Sequence, residues 1–326
     1  MNLFTFNSKL LKTPIGRSLI TALTLLSSYH ILVVTKVITP SKGIHQWQNN
    51  FIKIQSYAYQ NQLNGSMVIV GSSLTANLQI DTEPQIINLG ISGGCTQTGT
   101  ESVKRNPSKP AILLVEINET INRKIDSQLI DSIYNPFLYP IRRYIPMLKE
   151  EYHPVAVVIP TLVSIKQRLR EARGLKNKPR TIRQVVNVPQ TLTDKLISQA
   201  VEEYKSPVAA KEESLLRQEA EYIKAQISQI RKDGVRVVLF DIPREQRIQA
   251  TLRERQIRSL MREFFPSKDF EWLPEPPPRN WKTNDGFHLV SSDATEYYTF
   301  LKNQILNQNN RPISELKPSQ PALKPN

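Results

Sequence analysis

The sequence contains one cysteine, Cys95, in 326 residues. That excludes an internal disulfide and argues against a zinc site built on paired thiolates. Histidine is nearly as scarce, with four in the chain, so a metal centre of clustered imidazoles is not expected. No cofactor motif stands out, and no cofactor or metal is expected. Self-similarity at periods of about 20–50 residues is also missing, which removes repeat architectures. What remains is ordinary globular composition: 39% hydrophobic and 22% charged residues, enough for a sizeable core and too apolar for wholesale disorder. The length fits one or two domains at about 150 residues each. Positive charge is in excess, with 43 Lys and Arg against 29 Asp and Glu, a net charge of +14.

The strongest apolar run, residues 19–34 (LITALTLLSSYHILVV), carries no charge and follows Lys9, Lys12 and Arg17. It is longer than a signal-peptide core and shorter than the ~20 residues of a full span, until Lys36 is allowed to snorkel to the interface. No A-x-A-like cleavage site follows, so an uncleaved signal anchor over 1–40 is expected. The basic residues before the run predict a cytoplasmic amino terminus, with the rest of the chain outside the cytoplasm. A buried core helix is the alternative.

Residues 41–66 are polar with interleaved aromatics and read as a stalk or first helix. Runs at 67–71 (MVIVG), 86–91 (IINLGI), 111–117 (AILLVEI) and 235–242 (VRVVLFDI) are short, rich in Val, Ile and Leu, and nearly continuous in apolar character. That is the pattern of parallel strands covered on both faces, with crossover helices between them. The predicted fold is therefore α/β with a parallel sheet, over 67–306. The stretch 119–234 is too long for one crossover and reads as a largely helical insertion. It holds a proline-rich part, a basic run from 166 to 183, and a long amphipathic helix over 202–233. The LPEPPP segment at 273–278 is a rigid connector, 291–306 is a final helix, and 307–326 reads as a disordered tail.

Four pieces carry chemistry. The first strand runs into Gly71-Ser72-Ser73-Leu74. Doubly wound sheets put their chemistry at such carboxyl ends, although a serine there also serves as a helix N-cap. The second strand runs into Asn88-Leu89-Gly90-Ile91-Ser92-Gly93-Gly94; its glycines either make a tight turn or let backbone N–H groups face an anion. The third ends at Glu116-Ile117-Asn118, where the Asn amide is either a donor at the sheet edge or a cap. The last piece, Asp285-Gly286-Phe287-His288, spaces an acid and an imidazole so that the first can hold the second in one tautomer. A lone D-x-x-H is common; the order of all four pieces is the more specific signal.

In that order the chain resembles the SGNH (GDSL-like) hydrolase superfamily. Ser73 matches the nucleophile, Gly93 the second-block glycine, Asn118 the third-block asparagine, and Asp285 and His288 the final pair. The resemblance covers 67–118 and 235–306 and leaves the insertion unmatched. Ser72 stands where the first block has Asp, and Glu116 where the third has Gly, either crowding the oxyanion site or marking a divergent branch. The resemblance implies a flavodoxin-like three-layer α/β/α fold. It also implies an acyl-transfer site: Ser73 attacks, His288 is the base, and Asp285 orients it. The backbone N–H groups of Ser73 and Gly93 and the Asn118 side chain would form the oxyanion hole.

With its anchor, the chain looks more loosely like envelope proteins of D-alanyl transfer and alginate O-acetylation. The expected function is a membrane-anchored esterase or O-acyltransferase acting on an acylated glycan or lipid. The alternative is a non-catalytic scaffold or glycan-binding partner of a membrane acyltransferase. His30, His45 and His153 have no carboxylate at a useful spacing, and Cys95 reads as a small packed thiol. The basic run at 166–183 and a second one, Arg244, Arg247, Arg253, Arg255, Arg258 and Arg262, read as solvated faces. Anionic lipid or envelope polysaccharide suits them better than nucleic acid, which is not expected as a partner.

Overall fold

The computed structural model describes residues 13–309 apart from 42, 44, 61–62, 79–84, 155–156, 158–165 and 167–189. The chain divides into two compact units, Met1–Gln55 with Asn135–Pro179, and Ser56–Tyr134 with Arg180–Asn326. The stretch expected as a single insertion is thus shared between them.

In chain order the elements are α1 (Pro14–Val34), α2 (Gln46–Ala58), β1 (Met67–Gly71), α3 (Ser73–Ala76), β2 (Ile86–Gly90), α4 (Thr96–Arg105), β3 (Ile112–Glu116), α5 (Ser127–Ile133) and α6 (Leu138–Tyr144). They continue as α7 (Gln190–Glu203), α8 (Ala210–Lys232), β4 (Arg236–Phe240), α9 (Gln246–Gln249), α10 (Leu252–Phe264), β5 (Glu271–Trp272) and α11 (Ser291–Asn309). Short 3-10 turns lie at Glu119–Asn122, Pro146–Leu148 and Glu150–Tyr152.

In the first unit, α1 starts where Thr13 accepts a hydrogen bond from the Gly16 N–H at 3.1 Å, with Pro14 at the first helical position. Its 21 residues make a rod of about 31 Å at 1.5 Å per residue. It is long and apolar enough to cross a membrane. Ile15, Leu19, Leu23, Leu25 and Leu26 are all exposed, so protein packing does not account for its composition.

The second unit is built on a five-stranded, all-parallel sheet in the order β2-β1-β3-β4-β5. Alternate residues face opposite sides. Val68, Val70, Leu113, Val115, Val237 and Leu239 pack with Val103 of α4, Ile223 and Ile227 of α8 and Ile257 of α10. Met67, Ile69, Ile112, Leu114, Val238 and Phe240 pack with Leu74 of α3 and with Tyr297, Tyr298 and Leu301 of α11. Helices therefore cover both faces, which is why the strands read as unbroken apolar runs.

Three differences from the sequence reading stand out. A fifth strand, Glu271–Trp272, joins the edge with two residues. The helix expected over 202–233 is two helices, because Pro207 between them cannot donate to a helical ladder. The second basic run is a solvated face only in part: Arg247, Arg255 and Arg262 are exposed, but Arg244 is fully buried and pairs with buried Glu254, and Arg258 also pairs with Glu254 at 2.9 Å. Arg253 pairs with Glu212 of α8, so part of the run is neutralised from another helix. The basic run at 166–183, apart from position 166, and the tail beyond Asn309 lie outside the described residues.

Candidate active site

The carboxyl ends of β1, β2 and β3 form one edge. Gly71 pairs with Gly90, and the Ile91 N–H donates to the Gly71 carbonyl at 2.9 Å, so the turns after β1 and β2 begin side by side. Gly71 is dictated by close approach: a Cβ there would collide with Thr75 Oγ1 and Glu116 Oε2. The capping role expected of a serine in this turn falls to Ser72, whose Oγ accepts from the Leu74 N–H at 3.2 Å. Ser73 is left as the first helical residue with its hydroxyl available, and it is half-buried.

The loop before α11 delivers the other two groups. The Thr283–Leu289 bridge and the bond from the Asn284 N–H to the His288 carbonyl, 2.9 Å, pinch its base. Within it, Asp285 Oδ1 accepts from the backbone N–H groups of Phe287 (3.0 Å) and His288 (2.8 Å). Its Oδ2 lies 2.6 Å from His288 Nδ1, and His288 Nε2 lies 3.0 Å from Ser73 Oγ. With the Nδ1–H donating to the carboxylate, Nε2 is the acceptor that faces the serine hydroxyl. Burial alone would raise the Asp285 carboxyl, but the hydrogen bonds from the His288 ring and backbone and the Phe287 N–H outweigh it. The acid is held below its ordinary value. Ser73, His288 and Asp285 are thus bonded in series across 215 residues of sequence.

Gly93 lies at the exposed tip of the turn after β2, with φ of +69°. The Gly94 N–H closes that turn on the Ile91 carbonyl at 2.9 Å. Such a turn needs positive φ at its third residue, which favours glycine.

Asn118 departs from expectation. Its amide donates to Glu116 Oε1 at 2.7 Å and to Asp241 Oδ1 at 3.3 Å. Its Oδ1 caps the following 3-10 turn by accepting from the Thr120 N–H and hydroxyl, at 2.9 and 2.7 Å. Both amide hydrogens face carboxylates, so the structure does not offer Asn118 as a free oxyanion donor. The physical reason is Glu116, which occupies the glycine position of the resembled block and draws the amide to itself.

Glu116 does not crowd Ser73. It is fully buried and turned into the β1–α3 turn, where it accepts from the Ser72 N–H (2.9 Å), Ser72 Oγ (2.7 Å), the Thr75 N–H (3.2 Å) and Thr75 Oγ1. Asn118 supplies a fifth donor. The carboxylate missing at position 72 is therefore present on the neighbouring strand, holding the same turn. Sequence reasoning missed this role and that of Thr75. The pairing of an absent acid at 72 with an extra acid at 116 was the signal that could have revealed it.

Asp241 was also missed, although it directly follows β4 at the same edge. Burial pushes its carboxyl up to about 6, against the pull of Arg244 and Arg258 and the bond from Asn118. It borders a cavity of about 1160 Å³ lined also by Asn118, Arg258, Arg262, Trp272 and Trp281, with Pro276, Pro277 and Pro278 as a stiff wall. The Arg262 guanidinium stacks on Trp272, 3.9 Å from the ring centroid.

Cys95 is buried at the start of α4, and burial raises its thiol above the ordinary value, which makes it a packed thiol and a poor nucleophile. His45 accepts from the Gln48 N–H at 3.2 Å at the start of α2, and His153 is exposed. No family model, no curated protein and no solved structure matches this chain.

Proposed function

We propose that this chain is a membrane-anchored serine esterase or O-acyltransferase of the SGNH (GDSL-like) type. It acts outside the cytoplasm on an acyl ester of an envelope glycan or lipid. The observation that carries the reading is the Ser73–His288–Asp285 series, 3.0 and 2.6 Å between successive groups. The flavodoxin-like strand order and the four ordered sequence blocks support the same type. The apolar α1 supports the anchor, and Lys9, Lys12 and Arg17 ahead of it support a cytoplasmic amino terminus.

In this reading His288 Nε2 removes the Ser73 proton as Oγ bonds to the ester carbonyl carbon. The carbonyl π electrons move to oxygen, and the resulting oxyanion is met by the backbone N–H groups of Ser73 and Gly93. Losing one such donor typically costs about 10²–10³ in rate. The oxyanion collapses, the ester C–O bond breaks, and imidazolium returns its proton to the departing alkoxide. An acyl-serine remains. Asp285 keeps the imidazole in its working tautomer and offsets the transient positive charge. Water or a sugar hydroxyl, deprotonated by His288, then releases the acyl group. Glu116 holds the serine turn rigid.

The test is hydrolysis of p-nitrophenyl acetate by the purified chain, followed for an initial burst. Ser73→Ala and His288→Ala should each lower turnover by about 10³-fold or more with the thermal transition retained. Wild-type protein that is folded yet no faster than its Ser73→Ala variant would reject the proposal.

A further inference from the structure

The unit of Met1–Gln55 with Asn135–Pro179 has a second uncovered apolar surface besides α1. Phe137 and Tyr144 are 79% and 78% exposed, and Leu138, Ile141 and Leu148 are exposed as well. Isolated exposed apolar residues are ordinary. Five within 137–148 form a cluster, and Phe137, Ile141 and Tyr144 recur at i, i+4 and i+7, the spacing of one helical stripe.

The position of this cluster identifies its partner. The 3-10 turn Pro146–Leu148 packs against α1. The Tyr29 hydroxyl, near the carboxyl end of α1, donates to the Tyr152 carbonyl at 2.5 Å, and the Ser41 N–H donates to the Glu151 carbonyl at 2.7 Å. The segment is therefore tied to the end of α1 where the chain leaves its apolar stretch. Arg142, Arg143 and Lys149 interleave with the apolar side chains. Aromatic rings mixed with long cationic stems suit the boundary between acyl chains and anionic head groups.

We propose that residues 137–148 form an interfacial docking element that seats Phe137, Leu138, Ile141 and Tyr144 in the membrane leaflet from which α1 emerges. The inference rests on the membrane placement of α1 proposed above. The unit would then grip the bilayer twice, with α1 across it and α6 along its surface, which fixes the tilt of the unit against the membrane. A bilayer covers both surfaces at once, because the cluster adjoins a helix on which Leu19, Leu23, Leu25, Leu26 and Ile31 are exposed; a second copy of the chain or a protein partner would cover the cluster alone.

The experiment uses the full chain in a Cys95→Ser background, with one new cysteine at a time: Ile141→Cys, Tyr144→Cys, or Leu23→Cys within α1. Each is labelled with an NBD fluorophore and reconstituted into vesicles of equal phosphatidylcholine and phosphatidylglycerol. The lipids are plain, brominated near the head group, or brominated deep in the chain. Labels at 141 and 144 should emit as in an apolar medium and be quenched severalfold more by shallow than by deep bromines. The label at 23 should be quenched by deep bromines. Water-like, unquenched emission at 141 and 144 with quenching at 23 overturns the docking element and leaves the anchor standing. No quenching at 23 overturns the anchor reading itself. Blue-shifted emission at 141 and 144 that no bromine quenches means a protein surface covers the face, which also overturns the proposal.

Discussion

Asn118 divides the carboxyl edge of the sheet into two rims whose acids are held in opposite ways. On the Ser73 rim, Glu116 is saturated by five donors from Ser72, Thr75 and Asn118, and Asp285 is fed by the His288 ring and two backbone N–H groups. On the β4 rim, Asp241 takes one side-chain hydrogen bond, from Asn118, and its nearest cation, Arg258, is 3.9 Å away. Burial raises both carboxyls, but Asp285 sits below its ordinary value and the more deeply placed Asp241 rises to about 6. Depth and the number of donors aimed at the carboxylate act together here: Asp285 is shallower and better supplied, Asp241 deeper and poorly supplied. The Ser73 rim is fixed in geometry, and the rim beside the cavity is left able to titrate.

Removing Asp285 from the Ser73 rim should have the largest effect. Asp285→Asn keeps the shape of the side chain but can present an N–H to His288, favouring the wrong tautomer. The expected loss is about 10⁴-fold in kcat, read from ester hydrolysis alongside a thermal melt. A loss below tenfold in folded protein would break the assignment of Asp285. Next is the pair behind the β4 rim. Arg244→Met removes one of the two arginines on buried Glu254 and leaves Arg258 as its remaining partner; a loss of up to about 3 kcal/mol in unfolding free energy is expected, measured by urea titration. A cost under about 1 kcal/mol would mean the pair is not buried as described.

Glu116→Gln sharpens the comparison from the other side. It turns one acceptor oxygen into a donor that meets Ser72, Thr75 or Asn118, and about 1–3 kcal/mol of stability should be lost. Turnover should fall with it, because the serine turn is no longer pinned. An unchanged urea midpoint would contradict the saturated-acceptor description.

Asp241→Asn should give the smallest and most pH-specific effect. Its folded value of about 6 lies above the ~3.9 of an unfolded aspartate. The folded state therefore binds more protons between those values, and wild-type stability declines as pH rises from about 4 to 6. The Asn variant lacks that decline, so its melting temperature should gain on wild type across this window and hold the gain above it. Parallel melting curves from pH 4 to 7 would show that Asp241 does not titrate there.

Much of this molecule was legible from the sequence because its signals are local. Four strands read directly from runs such as MVIVG and VRVVLF, since both faces of the sheet are covered. Ser73 and the Asp285–His288 spacing stood out because each sits in a short, recognisable segment. What was illegible depends on distance along the chain. Glu116 meets Ser72 across 44 residues, and Asn118 meets Asp241 across 123. No local pattern reports such pairings, so a capping and bridging asparagine was read as an oxyanion donor. β5 escaped because two residues, one of them charged, carry no period. The helix expected over 202–233 was drawn through Pro207, a residue that should have stopped it.

The most direct test of the central claim is covalent trapping of the serine. A fluorophosphonate probe incubated with the folded chain, followed by peptide mass analysis, should place one phosphonyl adduct on Ser73. The adduct should be absent in Ser73→Ala and slow to form in His288→Ala. Folded wild-type protein that takes up no probe, or that carries it on another residue, would contradict the account.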